Sequence, residues 1–199
     1  MSTSKNKKSK SKSFSITTIL ALPFILLGVY FVLDENVTDT MRLAQSEYVP
    51  DEYIPIYQQA EEMYGVPWEL LAAHHRVETR FSTMSSMVSP VGAVGHLQFM
   101  PCTFVGWTHP TCGGLGEGSI SSEELTDLKT IEKYGGYGVD GNGDGYADPW
   151  NLEDAVFSAA NYLANNGADS GKIEEAIFAY NHSHEYVDEV MYYMNLYTN

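Results

Sequence analysis

Positive charge is scarce in this chain, and negative charge is absent from its start. Five of the 11 Lys and Arg residues, Lys5, Lys7, Lys8, Lys10 and Lys12, crowd into the first twelve positions, and no Asp or Glu precedes Asp34. Beyond that point 26 acidic residues stand against six basic ones (Arg42, Arg76, Arg80, Lys129, Lys133 and Lys172), a net charge of −20. Nucleic acid is thereby disfavoured as a partner, because polyphosphates bind mainly through Lys and Arg that displace counterions. At a polyanionic surface such a chain depends on specific contacts rather than on electrostatic steering. Cysteine is limited to Cys102 and Cys112, too few for a disulfide-dense scaffold. There is no HExxH, and the neighbours His74 and His75 point different ways on a helix, which argues against zinc catalysis. Strand signals are sparse and no internal repeat is evident.

What the chain does have near its start is one long apolar run. Residues 13–33 carry no charge, and Phe14 onward offers twenty residues, enough for a helix to cross about 30 Å of hydrocarbon. The preceding lysines place that end in the cytoplasm. The expected organisation is therefore a basic cytoplasmic tail (1–12), a single-pass signal anchor (13–33), a polar stalk (34–50) and one domain outside the cytoplasmic membrane (51–199). A cleaved signal peptide is the alternative, although no A-x-A-like cleavage site follows the run.

The domain reads as mainly α. Helical periodicity covers 54–64, 68–80, 101–107, 122–133, 152–165 and 172–197, the last with a break near 181–184. Gly65-Val66-Pro67 punctuates the first two, and Ser121 with Glu124 forms a capping-box pattern before the fourth.

The chemistry concentrates between Glu78 and Gln98. Glu78 closes the run WELLAAHHRV, where Leu70, Leu71, Ala73 and His74 recur at helical spacing, so its carboxyl lies at the end of an apolar face. Desolvation there disfavours the ionised form and suits the group to donate a proton near neutral pH. Small residues follow at Gly92-Ala93-Val94-Gly95, where backbone or ligand can approach closely. His96-Leu97-Gln98-Phe99-Met100-Pro101 comes next, and Ala179-Tyr180-Asn181 appears much later.

These three pieces, in this order and over roughly residues 53–197, resemble the motifs of lytic transglycosylases with a lysozyme-like domain of the soluble lytic transglycosylase type. The resemblance implies a lysozyme-like fold and cleavage of the MurNAc-GlcNAc β-1,4 bond of peptidoglycan, with no cofactor for catalysis. It implies that Glu78 acts as acid and then base, that Ser89, Gln98 and Phe99 contact sugar, and that Tyr180 and Asn181 face Glu78 and orient it or the substrate. His96 stands where the family often has an aliphatic residue, so a packed or hydrogen-bonded role is expected of it. Glycoside cleavage ordinarily uses two carboxylates, yet no Asp or Glu lies between Glu78 and Glu117. Lytic transglycosylases manage with one, because the 6-hydroxyl of the muramoyl residue attacks its own anomeric carbon and leaves a 1,6-anhydro end, a step favoured by its intramolecularity. A hydrolytic muramidase of the same fold, recruiting Glu117 or Asp148 to activate water, and a non-catalytic wall-binding protein are the alternatives.

Two further features bear on stability. Cys102 and Cys112 lie in a Gly- and Pro-rich loop, where outside the membrane a disulfide would contribute about 2–3 kcal/mol by the chain-entropy argument; two free thiols are the alternative. The stretch Asp140-Gly-Asn142-Gly-Asp144-Gly-Tyr146-Ala-Asp148 matches the first nine positions of an EF-hand loop, with Tyr146 supplying a backbone carbonyl, but position 12 is Asn151 instead of Glu. A similar loop in membrane-bound lytic transglycosylases of the B type implies Asp154 as the closing carboxylate and a structural calcium ion. A Gly-rich turn before a helix capped by Asn151 is the plainer alternative.

Overall fold

A computed structural model of the chain describes residues 48–198. The expected tail, anchor and most of the stalk lie outside these residues. Among the described residues no helix is long and apolar enough to cross a membrane.

The helices in chain order are α1 (Ile54–Tyr64), α2 (Trp68–Thr79), α3 (Pro101–Val105), α4 (Ser122–Thr126), α5 (Leu128–Tyr134), α6 (Leu152–Asn165), α7 (Ile173–Tyr180) and α8 (His184–Thr198), with a 3-10 turn at Ala168–Ser170. Extended pairing among the described residues is confined to the isolated bridges Val88 with Val94 and Val94 with Phe99. The mainly α expectation holds, and the boundaries differ in three places for local reasons. First, the helix expected over 122–133 is two helices, because Asp127 takes extended backbone angles and caps α5 by accepting from the Thr130 amide at 2.9 Å. Second, α3 stops at Gly106, whose φ of 122° and close approach to Tyr134 leave no room for a side chain: a Cβ there would lie 2.2 Å from the Tyr134 carbonyl oxygen. Third, α2 ends at Thr79, and Arg80, Phe81 and Ser82 follow with φ of 52°, 55° and 63°, three consecutive left-handed residues without a glycine.

α2 is the central element, in contact with α1, α6 and α8. Its burial explains why. Leu70, Leu71, Ala72, Ala73, His74, His75 and Thr79 are all buried, so apolar and neutral groups surround it on most sides. Each fully buried leucine stabilises the fold by about 1.5–3 kcal/mol. α6 is capped by the Asn151 side chain, which accepts from the amides of Glu153 and Asp154, and it buries eight residues against α1 and α2. The capping box of α4 forms as expected, with Ser121 and Glu124 bonding reciprocally. Cys102 and Cys112 are joined in a disulfide that ties α3 to the loop after it.

Candidate active site

The last turn of α2 carries Glu78, and the three left-handed residues behind it turn the chain sharply away. Two side-chain networks brace this corner. On one side Trp150 offers a carbonyl oxygen to His96 Nε2 at 2.8 Å, so His96 Nδ1 must accept, from Ser82 Oγ at 2.6 Å. Ser82 in turn accepts from His75 Nε2 at 2.7 Å, which leaves His75 Nδ1 to accept from the Tyr57 hydroxyl at 2.6 Å. One fixed end thus sets every proton in the chain from α1 to the loop before α6. Burial holds His75 down to about 3, so it is neutral in this network. Thr79 adds a bond to the His96 carbonyl at 2.8 Å.

The second network touches Glu78 itself. The Tyr186 hydroxyl, from α8, donates to Glu78 Oε1, and His74 Nδ1 lies 2.9 Å from the same hydroxyl. Burial pushes the Glu78 carboxyl up to about 7; the Tyr186 bond opposes the rise and the charge of Glu189 adds to it. A carboxyl with that value is half protonated at neutral pH and can both give and take a proton.

Gly95 explains the small-residue motif. Its φ is 77°, and a Cβ there would lie 1.9 Å from the Pro149 carbonyl oxygen, which instead accepts from the His96 amide at 3.0 Å. The elbow 92–98 is thereby pressed onto the loop before α6. Gln98 follows with φ of 49°, and its side-chain nitrogen donates to the carbonyls of Gly95 at 2.7 Å and Met87 at 3.1 Å. Both partners are acceptors, so the amide orientation is fixed and the Gln98 oxygen is the end left for a ligand.

A groove of about 470 Å³ opens beside this elbow, lined among others by Gln98, Phe99, Thr103, Trp107, Tyr162 and Tyr180. Of the residues expected at the site, Gln98, Phe99 and Tyr180 meet there. Phe99 is buried and packs edge-on against Phe104 and Tyr180, so it forms wall. Tyr180 feels the charge of Glu78, but its hydroxyl donates to the Leu97 carbonyl at 2.7 Å and braces the elbow. Ser89 closes its own turn by accepting from the Ala93 amide at 2.9 Å, and exposed Asn181 provides the extended link between α7 and α8. Neither is part of the groove lining. Sequence reasoning missed Tyr186, which takes the place at Glu78 expected of Tyr180, and Trp107, a half-exposed indole on the disulfide-bounded loop.

The calcium expectation finds no support. Among the described residues no three His, Cys, Asp or Glu side chains gather as a metal site. The carboxylates of this loop accept from main-chain amides. Asp140 accepts from Gly143, Asp144 and Gly145, Asn142 from Asp144, Asp144 from Tyr146, and Asp148 from Trp150. Asp154, wholly buried, takes the amides of Gly141, Asn142 and Asp148. Tyr146 is exposed at the loop tip. The turn before a helix capped by Asn151 describes this loop.

The family model of the transglycosylase SLT domain matches residues 132–177, which span the end of α5, all of α6 and most of α7. The fold is similar to that of the Escherichia coli lytic transglycosylase Slt35, solved in complex with bulgecin A, with a TM-score of 0.53 and 17% identity over 74% of this chain and 71% of that one. No curated protein matches the chain. The resemblance carried by the motifs is thus met by a sequence match in one part of the domain and by a lysozyme-like fold across most of it.

Proposed function

We propose that the protein is a peptidoglycan lytic transglycosylase in which Glu78 is the single acid and base. It is an enzyme acting on peptidoglycan. The family-model match and the fold support that class. The observation that carries the finer reading is the state of Glu78: part-buried, bonded by one hydroxyl, raised to about 7, and close enough for its charge to act on Tyr180, which lines the groove. Protonated Glu78 donates to the glycosidic oxygen as the bond to the muramoyl anomeric carbon breaks. The resulting carboxylate then takes the proton of the 6-hydroxyl as that oxygen closes on the anomeric carbon. Gln98 holds sugar through its free oxygen, and the aromatic walls pack against the pyranose faces. No carboxylate, Glu78 included, is among the residues lining the groove, so the groove itself offers no partner carboxylate to activate water, which supports intramolecular attack over hydrolysis.

The same reading places residues 13–33 in the cytoplasmic membrane with the domain outside, supported by the five lysines before the run and the acidic residues confined to the far side. Protease added to intact protoplasts should remove the domain; full protection would refute this topology. The reaction is tested by mass spectrometry of muropeptides from purified wall treated with the protein. Products ending in 1,6-anhydromuramic acid are expected, whereas reducing muramic ends as the main product would establish a muramidase.

A further inference from the structure

His74 lies one helical turn before Glu78, on the same face of α2, and is wholly buried. Its position decides how the proton of Tyr186 is shared. A phenol has one hydrogen. If Tyr186 gives it to Glu78 Oε1, its oxygen must accept from His74 Nδ1, and His74 carries its proton there. The opposite arrangement has Tyr186 donating to Nδ1, Glu78 donating from Oε1, and the imidazole proton on Nε2. That nitrogen is buried with no hydrogen-bond partner. A buried N–H without an acceptor is rarer and more costly than an unused lone pair. Burial also holds His74 down to about 3, so the ring does not carry both protons near neutral pH.

The neighbouring groups leave this arrangement undisturbed. Tyr180 packs against the His74 ring with centroids 4.8 Å apart and spends its hydroxyl on Leu97. Tyr57 of α1 is bonded to His75, and Tyr162 of α6 to the Ala179 carbonyl. Glu189 of α8 is the other charge acting on Glu78.

We infer that His74 is a positioning residue that acts through Tyr186: by donating from Nδ1 it fixes the Tyr186 hydrogen on Glu78 Oε1 and reserves Oε2 for the proton that Glu78 transfers. The inference rests on the reading of Glu78 as acid and base. It gives a buried histidine a part in the reaction without contact with the substrate. The chain N–H to O–H to carboxylate also stabilises the ionised form of Glu78, since each bond polarises the next.

The test compares three substitutions in the full-length protein, with kcat, KM and the pH profile measured on glycan strands. His74→Asn keeps an amide nitrogen near the position of Nδ1, His74→Gln moves the polar atoms toward Nε2, and His74→Leu removes them. The leucine variant should lose about threefold to tenfold in kcat with little change in KM, the scale of one hydrogen bond between neutral groups. Its high-pH limb should move upward, because the ionised form of Glu78 has lost support. Asparagine should restore most of both properties and glutamine should not. In a Tyr186→Phe background, His74→Leu should cost nothing further. Wild-type kcat and pH profile in the leucine variant, or an undiminished effect without the Tyr186 hydroxyl, would overturn the inference. Should leucine prevent folding, equal rates for the asparagine and glutamine variants would overturn it instead. Glu78→Gln assayed in parallel separates the two levels: full activity there overturns the reading of Glu78 and this one with it, while an inactive Glu78→Gln beside a wild-type leucine variant overturns this one alone.

Discussion

Glu78 and Asp154 are two carboxyl groups in one small domain that are taken out of water by their neighbours and that, with Glu78 as the proposed acid and base, end in opposite roles. Burial raises both above the ordinary carboxyl range. Asp154 then receives three main-chain amides, from Gly141 and Asp148 at 2.8 Å and Asn142 at 3.1 Å, each of which pulls it back toward the ionised form. Glu78 receives one hydroxyl and feels a second carboxylate, Glu189. Burial is the largest influence on both groups, and the difference between them lies in how many hydrogen bonds oppose it: three amides at Asp154, the staple, and one hydroxyl at Glu78, the proposed proton donor.

The comparison can be broken by exchanging what each group supplies. The largest effect should come from Glu78→Gln, which removes the transferable proton and hardly any volume: wall-cleaving activity should fall about 10²–10⁴-fold with an unchanged circular dichroism spectrum. Activity within threefold of wild type would show that Glu78 is not the donor. Asp154→Ala should act on stability instead. It leaves three amides without an acceptor and costs about 3 kcal/mol or more, a fall of roughly 10 °C in Tm for a domain of this size. A smaller loss is expected for Asp154→Asn, whose carbonyl oxygen keeps part of the set. A wild-type Tm in Asp154→Ala would mean that solvent replaces the carboxylate and that the staple is not needed.

How much of this contrast was legible in sequence follows from the range of the contacts. α1, α2 and α6 were readable because their apolar positions repeat at helical spacing. The division between α4 and α5 was not, because Asp127 interrupts an otherwise helical pattern with a cap that depends on backbone angles. Glu78, Gln98 and the glycines between them lie within one short stretch and announce themselves together. Tyr186 reaches Glu78 across 108 positions, and nothing in HEYVDEVMYYMNLYT singles it out from the other tyrosines of α8. The Asp140–Asp148 loop was legible as a spacing, yet spacing alone does not say whether carboxylates converge on an ion or fold back onto amides.

The smallest expected effect tests the electrostatic half of the comparison, and its sign is unusual for a catalytic substitution. The Glu78 carboxyl titrates near 4.5 in the unfolded chain and at about 7 in the folded one. Between these values the unfolded chain has lost a proton that the folded protein keeps, so the contribution of Glu78 to stability falls as pH rises through the window and is constant above it. His74 and His75, each held down to about 3, act the other way: their contribution is full above about 6.5 and is lost as pH falls. Both histidines remain in Glu78→Gln, so their part cancels when the variant is compared with the parent at each pH. What remains is a stabilisation of the glutamine variant that grows from pH 4.5 to 7 and levels at about 1–3 kcal/mol. Urea unfolding of both proteins at pH 5 and pH 8 measures it directly. A difference that does not change between the two pH values would mean that Glu78 titrates as an ordinary surface carboxylate, and the distinction from Asp154 would then have to be sought in the substrate complex.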